Sequence, residues 1–153
     1  MFPIKRKAKL AENIYLLEVY APRVAKSSKP GQFVIVRVGE EGERIPLTIS
    51  DYNEQEGTVT IVIQIVGYSS QKICDLEQGD SLTDFVGPLG NPSEFVYENI
   101  EELKNKKILF VAGGLGTAPV YPQAKWLCQQ GVKADVIIGA KTKDMLIYVD
   151  EMS

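Results

Sequence analysis

Histidine is absent from the 153-residue sequence. This removes the commonest general base, the Ser–His and Cys–His nucleophile pairs, and the usual His-containing zinc hydrolase sites. Chemistry in such a chain falls most naturally to a cofactor. Only two cysteines occur, Cys74 and Cys128, too few for a disulfide framework or a thiolate metal site. No apolar run reaches bilayer length, and Val59 to Val66 is strand-sized. The start, Met1-Phe2-Pro3-Ile4-Lys5-Arg6-Lys7, has no apolar core behind its basic residues, so a signal peptide is not expected. Charge of one sign is also lacking: 17 Lys and Arg stand against 20 Asp and Glu, a net −3, which gives no bulk attraction to nucleic acid or to an anionic membrane. A composition 44% hydrophobic and 24% charged is that of a packed protein, and the cytoplasm is the expected compartment.

What is present divides near residue 100. Before it, segments 14–20, 32–38, 58–66 and 81–86 are rich in β-branched and aromatic residues. Turn clusters such as Ser27-Ser28-Lys29-Pro30-Gly31 and Asn53-Glu54-Gln55-Glu56-Gly57 separate them. Within 58–64, Val59, Ile61 and Ile63 alternate with Thr60, Val62 and Gln64, so one face is wholly apolar and the other partly so, as a strand of a closed barrel requires. A short helix is predicted over 70–76, with serines as its cap and Gly79 beyond its end. Past a polar connector at 99–106 come an apolar strand (107–112), a glycine turn, a helix (118–130) closed by Gly131, and a second apolar strand (134–139). This is a βαβ unit. The fold expected is an antiparallel, Greek-key β-barrel over residues 1–98, followed by an incomplete α/β unit over 99–153. Cys128, mid-helix among Trp126 and Leu127, reads as core, and Tyr121, Tyr148 and Trp126 read as packing residues.

Four segments carry candidate chemistry. In Arg44-Ile45-Pro46-Leu47-Thr48, alternation puts Arg44, Pro46 and Thr48 on one face, where a guanidinium can grip a phosphate beside a planar ring. An ordinary strand with a solvated arginine explains the same residues. Gln64-Ile65-Val66-Gly67-Tyr68-Ser69-Ser70 opens the short helix, as an anion site or as a plain serine cap. Gly87-Pro88-Leu89-Gly90-Asn91-Pro92 specifies a rigid loop. Gly113-Gly114-Leu115-Gly116-Thr117-Ala118-Pro119 joins a buried strand to a helix, as a pyrophosphate-binding turn does, although its spacing is not G-x-G-x-x-G and a glycine turn made only for packing competes.

In this order the four segments resemble the ferredoxin reductase-like flavoprotein family, which pairs an FAD-binding barrel with a nicotinamide-binding α/β domain. Ala21-Pro22-Arg23, Lys29-Pro30-Gly31-Gln32-Phe33-Val34 and Gly42-Glu43-Arg44-Ile45-Pro46-Leu47-Thr48 are most similar to one branch. It holds the small (alpha) subunits of NADH-dependent ferredoxin:NADP oxidoreductases, also called sulfide dehydrogenase β subunits. The electron-transfer subunits of dihydroorotate dehydrogenase are its relatives.

The resemblance implies that Arg44 meets the FAD pyrophosphate or ribose, that Pro46, Leu47 and Thr48 line the isoalloxazine, and that Ile45 between them is cofactor-binding. Val62, Ile63 and Gln64 would border the flavin and its ribityl chain, Ser69 and Ser70 would hold phosphate, and Gly67 beside them would be cofactor-binding. Gly113, Gly114, Gly116 and Thr117 would face NAD(P)H, the substrate. Where relatives often read Gly-x-Gly-Thr or Gly-Lys-Thr-Thr, this chain has Gly67-Tyr68-Ser69-Ser70. The implied partners are a larger redox subunit, a ferredoxin, or both. A 2Fe–2S cluster is expected only in a C-terminal portion that this sequence lacks, so the chain reads as a fragment or natural truncation. A non-catalytic flavin-binding or docking module is the rival. Two parallel strands with one helix leave a sheet face bare, from which self-association follows.

Overall fold

The computed structural model describes residues 1–153. Nine strands and four α-helices follow one another as β1 (Phe2–Ala11), β2 (Ile14–Tyr20), α1 (Pro22–Ser27), β3 (Phe33–Arg37), β4 (Ile45–Asn53), β5 (Thr58–Gln64), α2 (Tyr68–Cys74), β6 (Ser81–Leu82), β7 (Asp84–Leu89), α3 (Ile100–Lys104), β8 (Ile108–Gly113), α4 (Thr117–Gln129) and β9 (Ala134–Gly139).

The first seven strands form one antiparallel sheet in the order β6-β1-β2-β5-β4-β3-β7. Its outermost strands, β6 and β7, are separated by Thr83 alone, so the two ends of the sheet are tied together and it closes into a near-complete barrel. The order β3-β4-β5-β2, three hairpin-connected strands with β2 returning beside β5, is a Greek key. Inside lies a cluster that includes Ile4, Leu17, Val34, Val36, Ile49, Val59, Ile61, Ile63, Leu82 and Phe85. Each such side chain contributes about 1.5–3 kcal/mol on leaving water.

Several elements differ from expectation. Segment 81–86 is two strands, because the chain crosses at Thr83 from pairing with β1 (Phe2↔Leu82) to pairing with β3 (Arg37↔Asp84). The predicted loop at 87–92 begins inside β7: Gly87, Pro88 and Leu89 belong to the strand, with a cis Gly87–Pro88 bond. Gly87 is required by close approach, since a Cβ there would lie 2.7 Å from Val34 Cγ1. β1 carries Lys5, Arg6, Lys7 and Lys9, which mask its strand character. Lys5 lies over the ring of Tyr20 and Lys7 over that of Tyr15, while Arg6 and Lys9 pair with Glu18 and Glu12. α2 starts earlier than predicted: Gly67 is its N-cap, which moves Ser69 and Ser70 into the first turn.

β8 and β9 form a separate parallel pair, Ile108↔Ala134 to Gly113↔Gly139. α4 packs on one face of this pair, while Leu109, Val111 and Ile137 are exposed. A second cluster unites the outer wall of the barrel (Ala11, Ile14, Leu16, Val62) with Ala118, Ile147 and Tyr148. This explains why β5 is apolar on both sides. The expected packing of Tyr121 and Tyr148 is seen as a ring stack at 4.7 Å, and Trp126 lies against Phe95 at 5.6 Å. Cys128 is not core, however. It is exposed, because the helix turns it about 100° away from buried Leu127. No helix is long and apolar enough to cross a membrane.

Candidate functional site

The site begins as a fork in the barrel. β4 and β5 pair from Asn53↔Thr58 to Ile49↔Ile61 and then separate. Beyond that point residues 45–48 of β4 pair with β3 alone, and residues 62–64 of β5 pair with β2 alone. Each strand therefore turns an edge of polar backbone groups toward the gap, and such groups call for a partner.

A cavity of about 530 Å³ occupies this fork. Arg44, Ile45, Pro46 and Leu47 line one side, Val62, Ile63 and Gln64 the other, and Gly67, Ser69 and Ser70 the mouth of α2. Three runs that are distant in sequence thus meet at one place. Thr48 lies outside the lining, beside the point where the strands rejoin. Glu43, Val66, Tyr68 and Leu115 complete the wall and were not anticipated. Leu115 is the middle of the glycine turn, and only the packing of α4 against the barrel carries it to the cavity. Tyr68 and Glu43 are neighbours of predicted residues, which was the one available signal for them.

The electrostatics centre on two acidic groups. Arg37 Nε lies 2.7 Å from Asp84 Oδ2 and holds that carboxyl below the usual carboxylate range, with Arg44, at 3.5 Å, adding a smaller effect. Arg44 is largely exposed and has this one long ion pair, so most of its guanidinium donors remain available. Ser69 Oγ donates to Glu43 Oε2 at 2.6 Å. Ser70 is differently engaged: its oxygen accepts from the amides of Val66 (2.8 Å) and Gly67 (3.0 Å), and its hydroxyl donates to the Gly67 carbonyl. Ser70 therefore shapes the loop, and Ser69 is the hydroxyl presented at its surface. A smaller cavity of about 170 Å³ shares Glu43, Tyr68 and Ser69 with the first and adds Lys72. Lys72 Nζ sits 4.7 Å from the centre of the Tyr68 ring.

The remaining predicted residues do not line the cavity, although Leu115 between them does. Gly113 ends β8, and Gly114 to Gly116 form a 3₁₀ turn leading into α4, with Gly114 at φ +54°. A Cβ on Gly113, Gly114 or Gly116 would meet nothing within 4 Å, so these glycines border open space. Thr117 is completely buried and its hydroxyl has no hydrogen-bond partner, so it does not border that space.

No family model matches the chain. It is 54% identical over its whole length to a protein of Clostridium beijerinckii described as an uncharacterized protein in the adh 3′ region, of which it covers 52%. It is 44% identical, over 97% of its length, to half of the dihydroorotate dehydrogenase B (NAD(+)) electron transfer subunit homolog of Thermotoga maritima. The chain thus spans about half the length of the curated relatives it matches. Among solved structures, an NADH-dependent reduced ferredoxin-NADP oxidoreductase matches all of this chain over 53% of its own, with a TM-score of 0.88 and 41% identity. Phthalate dioxygenase reductase matches 99% of this chain over 46% of its own, with a TM-score of 0.79 and 21% identity, a likeness of fold.

Proposed function

For a chain homologous with dihydroorotate dehydrogenase B electron transfer subunits and folded as a ferredoxin reductase-like FAD-binding barrel, we propose that the protein holds FAD in the β4–β5 fork and serves as a flavin electron-transfer module. The substrate in this reading is NAD(P)H, and the acceptor is an iron–sulfur or ferredoxin-type partner, including a larger redox subunit. Residues 1–98 form the flavin-binding unit and 99–153 part of a nicotinamide-nucleotide unit.

The observation that carries the reading is the fork itself. It combines a slot between two strand edges, apolar side chains at Pro46, Leu47, Val62 and Leu115, and an available guanidinium at Arg44. A flat heteroaromatic ring with hydrogen-bonding edges and an anionic tail matches that donor set. When bound, FAD supplies hydride acceptance and single-electron release. The chain supplies the rest: backbone groups of residues 45–47 and 62–64 hold the ring edge, and Arg44 with Ser69 holds the pyrophosphate. Leu115 limits water access. Tyr68 offers its ring to the adenine. Thr48, at the throat of the fork, would close the inner end of the slot, and Gly113, Gly114 and Gly116 would leave room for the nicotinamide nucleotide.

Reconstitution tests this. The purified chain is expected to take up FAD with a shifted visible spectrum and to bind FMN more weakly. Failure to retain either flavin at micromolar concentrations would overturn the reading.

A further inference from the structure

α4 contains a proline, Pro122, well inside its first two turns. Proline has no N–H, so the carbonyl four residues earlier, on Ala118, loses its helical partner. Ala118 is buried, and a buried carbonyl without a partner is costly. The missing donor comes from the barrel. Ser50, completely buried on β4, donates its hydroxyl to the Ala118 carbonyl at 2.9 Å. With that single proton committed, Ser50 Oγ accepts from the Tyr148 hydroxyl at 2.7 Å. Tyr148 in turn stacks on Tyr121 of α4 at 4.7 Å with nearly parallel rings. The neighbouring residue, Asp51, takes Lys125 Nζ at 2.8 and 2.9 Å.

Consecutive strand residues ordinarily face opposite ways, yet Ser50 and Asp51 both reach α4. The register shift between Ile49 and Asp51 is the reason: Ser50 is the extra residue of a bulge, and a bulge re-aims the side chain it carries.

This joint connects two walls of one cavity. β4 supplies Pro46 and Leu47, and Ser50 lies three residues further on, about 10 Å along the strand. On the other side, Ala118 follows Leu115 by three residues. We propose that Ser50 and Tyr148 are positioning residues, whose hydrogen-bonded joint to Ala118 sets the reach of the glycine turn over the fork and hence the access of a nicotinamide ring to a flavin there. The inference rests on the flavin reading above.

The test uses the whole chain with FAD. Leu115→Trp places a contact quencher of flavin emission on the turn. In that background Ser50→Ala or Tyr148→Phe is expected to lengthen the emission lifetime of bound FAD several-fold while leaving its Kd nearly unchanged. In the flavin-free chain the same two changes should speed amide exchange at 114–118 by roughly tenfold. Val132→Ala, which loosens the packing of α4 around Leu127 without touching β4, should lower Tm and leave the lifetime alone. Normal FAD binding with unchanged lifetime and exchange would overturn the joint alone, as would an equal effect of Val132→Ala. Absence of FAD binding in the unsubstituted chain would overturn the flavin reading, and this inference with it.

Discussion

The Ser69 hydroxyl is held by the carboxylate of Glu43, 2.6 Å away, at the same rim where Arg44 stands. In the proposed flavin reading, a carboxylate in that place would occupy the hydroxyl offered to the pyrophosphate and repel its charge. Glu43→Gln is therefore expected to tighten FAD by about 0.2–1 kcal/mol, the range of an exposed charge interaction, with the gain shrinking at high salt. Fluorescence titration at two ionic strengths checks it. Weaker binding in the variant would make Glu43 a ligand to FAD rather than its competitor.

Arg44→Ala should weaken FAD by roughly 1.5–3 kcal/mol, as loss of a charge-assisted contact does, and should change FMN affinity less. The comparison matters because FMN lacks the adenylate half. Equal losses for the two flavins would remove Arg44 from the pyrophosphate side.

Tyr68 is exposed, and its ring is accompanied by Lys72. If adenine lies on it, Tyr68→Ala costs about 1–3 kcal/mol of FAD affinity and nothing for FMN, while Tyr68→Phe is nearly silent. A hydroxyl-dependent effect in Tyr68→Phe would contradict stacking.

Burial pushes the Cys74 thiol up to about 11 from 9.0. The folded chain therefore keeps its proton where the unfolded chain releases it, so stability declines as pH rises between these two values. The decline attributable to Cys74 is roughly 1–3 kcal/mol. Burial also raises Tyr148, adding to alkaline sensitivity at still higher pH. Cys74→Ala should flatten the dependence of Tm on pH between 9 and 11. An unchanged slope would assign the alkaline loss to other groups.

Much of this architecture is legible in the sequence wherever one local signal dominates. β2 and β5 announce themselves by β-branched alternation, and the βαβ unit by apolar runs around a glycine turn. β1 is hidden because Lys5, Arg6, Lys7 and Lys9 break its apolar alternation, and the 81–89 crossover because a strand does not reveal its partner. The site divides in the same way. Arg44 to Leu47, Val62 to Gln64 and the mouth of α2 are recognisable as runs, and the fork brings them together. Leu115, and the answer of Ser50 to Pro122, depend on where α4 lies, which no local pattern states. Cys128 looked like core because the amphipathy of α4 is weak: its apolar residues do not mark one face.

The last expectation concerns the bare side of the β8–β9 pair. α4 covers one face, whereas Leu109, Val111 and Ile137 stand exposed together on the other, and each strand has one unpaired edge. Exposed apolar groups on a two-stranded sheet with open edges favour pairing with another copy. The chain by itself is therefore expected to self-associate through this face, with a light-scattering mass that rises with concentration. Val111→Thr together with Ile137→Thr should reduce that rise without lowering FAD binding, because neither residue lines the fork. Amides of β9 should exchange faster than those of β5 in dilute solution and slow as concentration increases. A monomeric mass across the concentration range, with β8 and β9 as protected as β5, would show that the pair is stable with its face open to water.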